Sequence, residues 1–348
     1  NDVDMQSLAW LPLFTTALTQ TGTNTKDEAS LTFQIGTDTG GIGASTMFSA
    51  IRDVKDVNQW STTESLHKIV VRGKATVDKV DLMFTLMNDV LVGANFNNRE
   101  RLTEIIHRNK EAGKSMLLSS GHSIAGSRLT SKLTKIGSIS EQMGGLTAYD
   151  YMNNIDIDSD AGWKVCNDNL ESIRTKIVQN ENVIINITSD KIGIHAAESS
   201  IAQFMNRLPS KDVSENGKSV ATLGNYQWSP LKETHQNEGY VVASQVNYVV
   251  QGGLLNLENE ISLGAASVVS RYLRNTWLWD EVRVKGGAYG GFCSFDSISN
   301  VFQYGSYRDP NLQNTIDAYG KSPEFLQNVL LDENEVTKGI VGAVSDMD

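Results

Sequence analysis

Segments of helical period and of strand period alternate along almost the whole chain, which restricts the possible folds more than any other feature of the sequence. Leu8 to Leu18 places apolar residues at helical spacing. Thr32 to Ala50, rich in Gly, Thr and alternating apolar residues, suggests a β-ribbon, and Lys68 to Val77 a strand with Ile69, Val71 and Ala75 on one face. Helices are expected over Val80–Val92, over Arg99–Leu133 with a break near Gly121, and over Trp163–Val178. Val183–Thr188 reads as a buried strand, and Ala196–Leu208 as a helix closed by Pro209. From Ser210 to Glu238 the chain is polar and turn-rich, with Pro230, and reads as a linker. A second unit follows. It holds a strand at Tyr240–Val250, an amphipathic helix at Leu263–Trp279, strands near Ala288–Ser294 and Val301–Ser306, and helices at Asn311–Val329 and from Asp332.

Composition removes several classes of function. The 348 residues, 40% hydrophobic and 20% charged, are enough for one large or two ordinary folded domains. No apolar run approaches the roughly 20 residues of a membrane helix. A net charge of -11 argues against nucleic acid as the main partner, since phosphate binding needs clustered Lys and Arg. Cys166 and Cys293 are too few for a disulfide framework or a four-cysteine zinc site. Residues 1–235 hold 23 basic and 27 acidic side chains, whereas residues 236–348 hold 7 and 14, so the second part is the more acidic and would attract a basic ligand. Asn1-Asp2-Val3-Asp4 does not read as a targeting peptide, and the helix after Asp332 lacks a stop signal. Both edges look cut, so a processed or partial piece of a longer chain is expected.

Most catalytic motifs are incomplete. Asp38-Thr39-Gly40 matches an aspartic-protease signature, but the second Asp-Thr/Ser-Gly is lacking, because Asp296-Ser297-Ile298 has no glycine. Gly36-Thr37 also replaces the usual apolar lead-in, so a plain β-turn is the better reading. His195-Ala196-Ala197-Glu198-Ser199 is one residue short of an inverted zinc motif, since Ser199 stands where the second imidazole would share the helix face. His67, His107, His122 and His235 stand alone and read as exposed or capping residues. Gly36 to Gly43 has no Lys-Ser/Thr to make a phosphate loop, and no G-x-S-x-G occurs. No metal site is expected within the chain.

One segment is different. Between Trp277 and Phe292, four glycines (Gly286, Gly287, Gly290, Gly291) surround Tyr289, six residues after Arg283, where a helix passes into a strand. Glycine lets backbone approach a ligand closely, Arg is permanently charged, and Tyr offers a hydroxyl. Together they could stabilise an oxyanion at a carbonyl under attack. A β-bulge packed beneath two tryptophans explains the same spacing, and the two readings stay open on spacing alone.

This segment, continued by Val301-Phe302 and Ser306-Tyr307-Arg308-Asp309-Pro310-Asn311-Leu312, resembles the presequence protease and falcilysin group of pitrilysin/insulysin-type zinc metallopeptidases. Further stretches agree in order: Leu11-Pro12-Leu13-Phe14, Val71 to Ala75, Ser120-Gly121-His122, Ile139 to Gly145, and Gln245 to Val249. The resemblance implies an α+β fold made of two domains, each an antiparallel-rich sheet covered by helices. Residues 1–225 would be the third domain of four, 226–238 a linker, and 239–348 the first part of the fourth, which is incomplete. It also implies a protease closing like a clamshell around short unstructured peptides, such as cleaved basic presequences, in the mitochondrial matrix or plastid stroma. Zn²⁺ would be bound by H-x-x-E-H in an N-terminal half that this sequence lacks, so residues 1–348 alone are expected to be inactive. By motif position, Arg283 and Tyr289 would be the catalytic contacts, and Gly286, Gly287, Ala288 and Gly290 the substrate-binding backbone. The expected partners are peptide substrate and the zinc-bearing half, with no nucleic acid and no membrane span. Relatives of this fold also serve as non-catalytic core subunits, and a scaffold is the alternative.

Overall fold

A computed structural model describes residues 5–52, 60–210, 237–256, 260–330 and 332–345. In chain order the first elements are α1 (Met5–Leu8), α2 (Leu11–Gln20), α3 (Glu28–Asp38), β1 (Ile42–Arg52), β2 (Trp60–Gly73), α4 (Val80–Gly93), α5 (Arg99–Ser119) and α6 (Gly121–Leu133). Next come α7 (Lys135–Gly144), α8 (Leu146–Asn153), α9 (Asp160–Ile177), α10 (Lys191–Arg207), β3 (Val250–Leu254) and α11 (Glu260–Asn275). A π-helical turn (Trp279–Lys285), β4 (Gly290–Asp296), β5 (Val301–Tyr307), α12 (Gln313–Gly320), α13 (Ser322–Asn328) and α14 (Glu333–Ser345) complete the order. The described residues fall into two compact units, one drawn from 1–49, 66–111 and 142–227, the other from 50–65, 112–141 and 228–348.

The first unit is mainly helical, and local chemistry starts its helices. Pro12 sits in the first turn of α2, where a missing N–H costs nothing. Asp27, Ser159 and Asp190 cap α3, α9 and α10 by accepting the backbone N–H of Ser30, Gly162 and Gly193. The buried faces meet through Trp10, whose indole N–H donates to the Tyr151 hydroxyl at 3.3 Å, and through the Phe14–Phe96 and Phe84–Phe204 ring pairs. Leu31, Leu86 and Val90 form a smaller buried group, with Ile35 and Ile42 against it.

Two sequence expectations in this unit are corrected. The ribbon starts at Ile42, not Thr32, because the Asp27 cap and the Leu31/Ile35 stripe make residues 28–38 helical despite their Thr and Gly content. Asp38-Thr39-Gly40 is the turn between them: Thr39 closes the helix on the Ile35 carbonyl, and Asp38 pairs with Lys79 at 3.0 Å. Val183–Thr188 is extended, but it pairs with no strand among the described residues, and Ile184 is 75% exposed. Its side chains alternate as a strand's do; alternation signals a strand without supplying a neighbour.

The second unit is built on a three-stranded antiparallel sheet of order β3-β5-β4. Gly290 lies opposite Tyr307, Phe292 opposite Gly305 and Asp296 opposite Val301. Cys293 and Tyr304 turn toward a buried cluster with Leu273, Leu278, Val282 and Tyr319. Phe292 and Tyr307 turn to the other face, where they meet His122 of α6. Gly305 is required by this arrangement, since a Cβ there would lie 2.0 Å from the Phe292 ring. The sequence predicts a strand over Tyr240–Val250, but the ladder begins only at Val250, with an isolated bridge at Asn247–Asp309. The Gly252-Gly253 pair reads as a strand breaker, yet Gly252 lies inside the ladder: a Cβ would approach the Phe302 carbonyl at 2.4 Å. The expected linker 226–238 lies outside the described residues except for its last two positions.

Glu238 is anchored in this unit. Arg128 grips its carboxylate at 2.8 and 3.2 Å, and Lys132 adds a contact at 2.6 Å. The Arg128 guanidinium holds the Glu238 carboxyl at about 2, against 4.5 for an ordinary Glu. A folded-state pKa lowered in this way contributes stability above pH 4.5 that drains away as pH falls toward about 2. Glu238→Gln should therefore lower the unfolding midpoint at neutral pH, with the gap from the parent closing in acid. A constant gap across a denaturant series from neutral pH to about pH 3 would contradict the assignment.

Candidate functional site

The site begins where α11 changes pitch. Leu278 and Val282 are 0% and 1% exposed and bind the turn to the core, while the Trp277 indole N–H donates to the Ala318 carbonyl and its ring stacks on Phe325. With those residues fixed inward, the π-helical turn Trp279–Lys285 leaves Trp279, Arg283 and Val284 outside. Single π-turns of this kind are frequent at functional sites. The two tryptophans therefore do different things: Trp277 packs the turn, and Trp279 is an exposed platform beneath Arg283, whose guanidinium lies 4.2 Å from the ring centre.

Two glycines then reverse the chain. A Cβ on Gly286 would sit 2.6 Å from the Val282 carbonyl, and Gly287 has φ +78, which L side chains rarely adopt. Ala288 is buried and its N–H donates to the Val282 carbonyl, while the Gly287 N–H donates to that of Arg283. Tyr289 emerges 67% exposed, its N–H donating to the carbonyls of Tyr307 and Arg308 at 3.1 and 3.3 Å. Arg283 lies 5.9 Å from the Tyr289 ring centre. Arg283, Tyr289, Gly286, Gly287, Ala288 and Gly290 thus lie in one loop. The two polar side chains meet at its surface, and Ala288 faces the core.

From the other side, Asn311 donates to the Gly286 carbonyl at 2.6 Å. Asp309, 0% exposed, accepts from the Asn311 N–H at 2.9 Å and from the Thr315 hydroxyl at 2.7 Å. This brace holds the glycine turn. His122 supports the site's aromatic edge, with ring centres 4.9 Å from Tyr307 and 5.5 Å from Phe292. Burial lowers its pKa, which favours the neutral imidazole. The expectation of exposed histidines holds for His107 and His195 and fails for His122. In the sequence, Ser120-Gly121-His122 stands out only through the family resemblance. Its physical signal is the glycine, because a Cβ on Gly121 would overlap the Tyr248 ring at 2.3 Å.

Among the described residues no three His, Cys, Asp or Glu side chains gather as metal ligands. His195 meets Glu198 at 3.2 Å on an exposed helix face, with Ser199 next to it. These residues do not fit a zinc ion. No helix among the described residues is long and apolar enough to cross a membrane.

Comparison with known proteins places this chain in a family. Residues 1–155 match the family model of the region associated with pitrilysin-type peptidases of subfamily C, and residues 237–348 the one described as PreP C-terminal domain. The chain is 37% identical over 341 residues to presequence protease 1, chloroplastic/mitochondrial, of Arabidopsis thaliana, covering 98% of this chain and 30% of that protein. It is 28% identical over 335 residues to the mitochondrial presequence protease of Saccharomyces cerevisiae, covering 94% of this chain and 32% of that one. Protein HypA of Clostridium perfringens is 27% identical over the full 348 residues, which are 34% of its length. The chain thus spans about a third of the length of these relatives. Among solved structures, the periplasmic protease PqqL from Escherichia coli shares the fold, with a TM-score of 0.51 at 14% identity over all of this chain and 35% of that one. The chain belongs to the presequence-protease family of pitrilysin-type peptidases.

Proposed function

We propose that residues 1–348 form the substrate-gripping part of a zinc metalloendopeptidase that degrades short unstructured peptides in a closed chamber, such as cleaved targeting presequences. The observation that carries this reading is the Arg283–Tyr289 pair: a guanidinium and a phenol held side by side at the surface on a braced loop. Among the described residues Arg283 forms no ion pair, so its donors are available to a ligand. A scaffold has no use for such a pair.

In the reaction, the Arg283 guanidinium donates to the peptide carbonyl under attack, and the Tyr289 hydroxyl donates to the oxyanion as it forms. Donors fixed before the reaction lower the barrier because no solvent needs to reorganise around the new charge. Trp279 restricts Arg283 to one side of the loop, and Asp309 and Asn311 hold the turn that sets the spacing of the pair. The zinc of this proposal is held by residues outside 1–348. The acidic surplus of residues 236–348 favours basic peptides, which suits Arg-rich presequences. The named organelles of two relatives support the mitochondrial matrix or plastid stroma as the location.

The full-length polypeptide is the material for the test. It should carry one zinc per chain and cleave a basic, unstructured peptide while sparing a folded protein of similar size. Residues 1–348 alone should show neither property, and stoichiometric zinc in that piece would overturn the division of labour.

A further inference from the structure

Arg308 is an outlier in both backbone and charge. Its φ of +49 is in the left-handed region, where a non-glycine residue other than Asn is uncommon. The other positive-φ non-glycine residue among the described ones, Asn300, lies in the turn between β4 and β5, where such a conformation is ordinary. Arg308 has no such excuse. It is held on both sides: its carbonyl accepts from the Tyr289 N–H, and the next residue, Asp309, is buried and bridged to Asn247. The surroundings thus impose a conformation that an arginine resists, a pattern that recurs at functional positions.

The result is an exposed guanidinium lying over the Tyr307 ring at 5.4 Å. Tyr307 meets the Tyr289 ring edge-on at 5.7 Å, and Tyr289 meets Arg283 at 5.9 Å. His122 supports Tyr307 from behind. Two arginines therefore flank a pair of tyrosines on one surface. Among the described residues neither arginine pairs with a carboxylate. This occurs in a part of the chain where acids outnumber bases by 14 to 7 and partners are plentiful.

We propose that Arg308 binds a carboxylate of the peptide substrate, one step along the Tyr289–Tyr307 edge from the carbonyl that Arg283 and Tyr289 engage. Its role is specificity: it takes no part in bond cleavage and fixes the peptide's register by an anionic group. Guanidinium suits this task because it offers a planar fork of donors to carboxylate oxygens. The carboxylate is either the peptide's C-terminus or an Asp or Glu side chain. The inference rests on the peptidase reading above.

The experiment uses the full-length enzyme and three versions of one peptide: free C-terminal acid, C-terminal amide, and the free acid with its Glu replaced by Gln. Arg308→Gly is the main variant, because glycine adopts φ +49 without strain and the thermal midpoint should stay level or rise. KM for the free acid should rise about tenfold, the worth of one charge-assisted hydrogen bond, with kcat unchanged. Removing the recognised carboxylate from the substrate should erase the difference between parent and variant, and whichever peptide does so identifies the source. Arg308→Lys should restore part of the affinity. An equal KM in parent and variant for all three peptides overturns the proposal, as does a loss of kcat on all three with a lowered midpoint, which marks a purely structural arginine. If the parent cleaves none of them, the peptidase reading itself fails and this inference falls with it.

Discussion

In the full-length enzyme, Arg283→Ala and Tyr289→Phe each lower kcat by about a hundred- to a thousandfold, the usual cost of removing one preorganised oxyanion donor. Zinc content and the unfolding midpoint stay near the parent's. Both side chains are exposed, so their loss empties no core volume. What Arg283 gives up within the protein is its stack on Trp279, worth about 0.5–1 kcal/mol at an exposed site. KM should change far less than kcat, because the contacts strengthen only as charge develops on the oxygen. The double variant should lose less than the product of the two single effects, since the two groups act on one oxygen. Steady-state kinetics beside metal analysis decides the matter. Near-parental turnover in both single variants would remove the pair from the chemistry.

Much of the architecture could be read from period alone. The break between α5 and α6 at Ser120 falls next to the expected Gly121, and β4, β5 and the helices after them lie within a few residues of their expected places. The misreadings share a cause. Residues 32–38, Val183–Thr188 and Tyr240–Val250 look like strands by composition or alternation, whereas a cap, a neighbouring strand or its absence decides their form. The candidate pair was visible because glycines announce close backbone approach, and Gly286 and Gly287 do have steric reasons to be glycine. The spacing could not distinguish Trp277 from Trp279, since burial and exposure depend on a π-turn that leaves no mark in the pattern. Nor could it show that Tyr289 leads through Tyr307 to Arg308, because those contacts join residues 18 and 19 apart through a strand register.

The Asp309 brace has the second large expected effect. Asp309→Ala should cost about 2–4 kcal/mol, because it strands a buried Thr315 hydroxyl and the Asn311 N–H, each losing its acceptor. Activity should fall with stability, since Asn311 carries the strain to the Gly286 carbonyl and thus to the loop that holds Arg283 and Tyr289. Asp309→Asn keeps one carbonyl acceptor and should lie between parent and Ala in a denaturant titration. Asn311→Ala separates the two effects: it leaves the Asp309–Thr315 bond intact and removes only the tie to Gly286. It should therefore lower kcat with a small loss of stability. If Asn311→Ala keeps full turnover while Asp309→Ala loses it, the glycine turn does not depend on this tie. The Asp309 effect would then be one of folding, and the spacing of Arg283 and Tyr289 would be set by Gly286, Gly287 and the Trp279 stack alone.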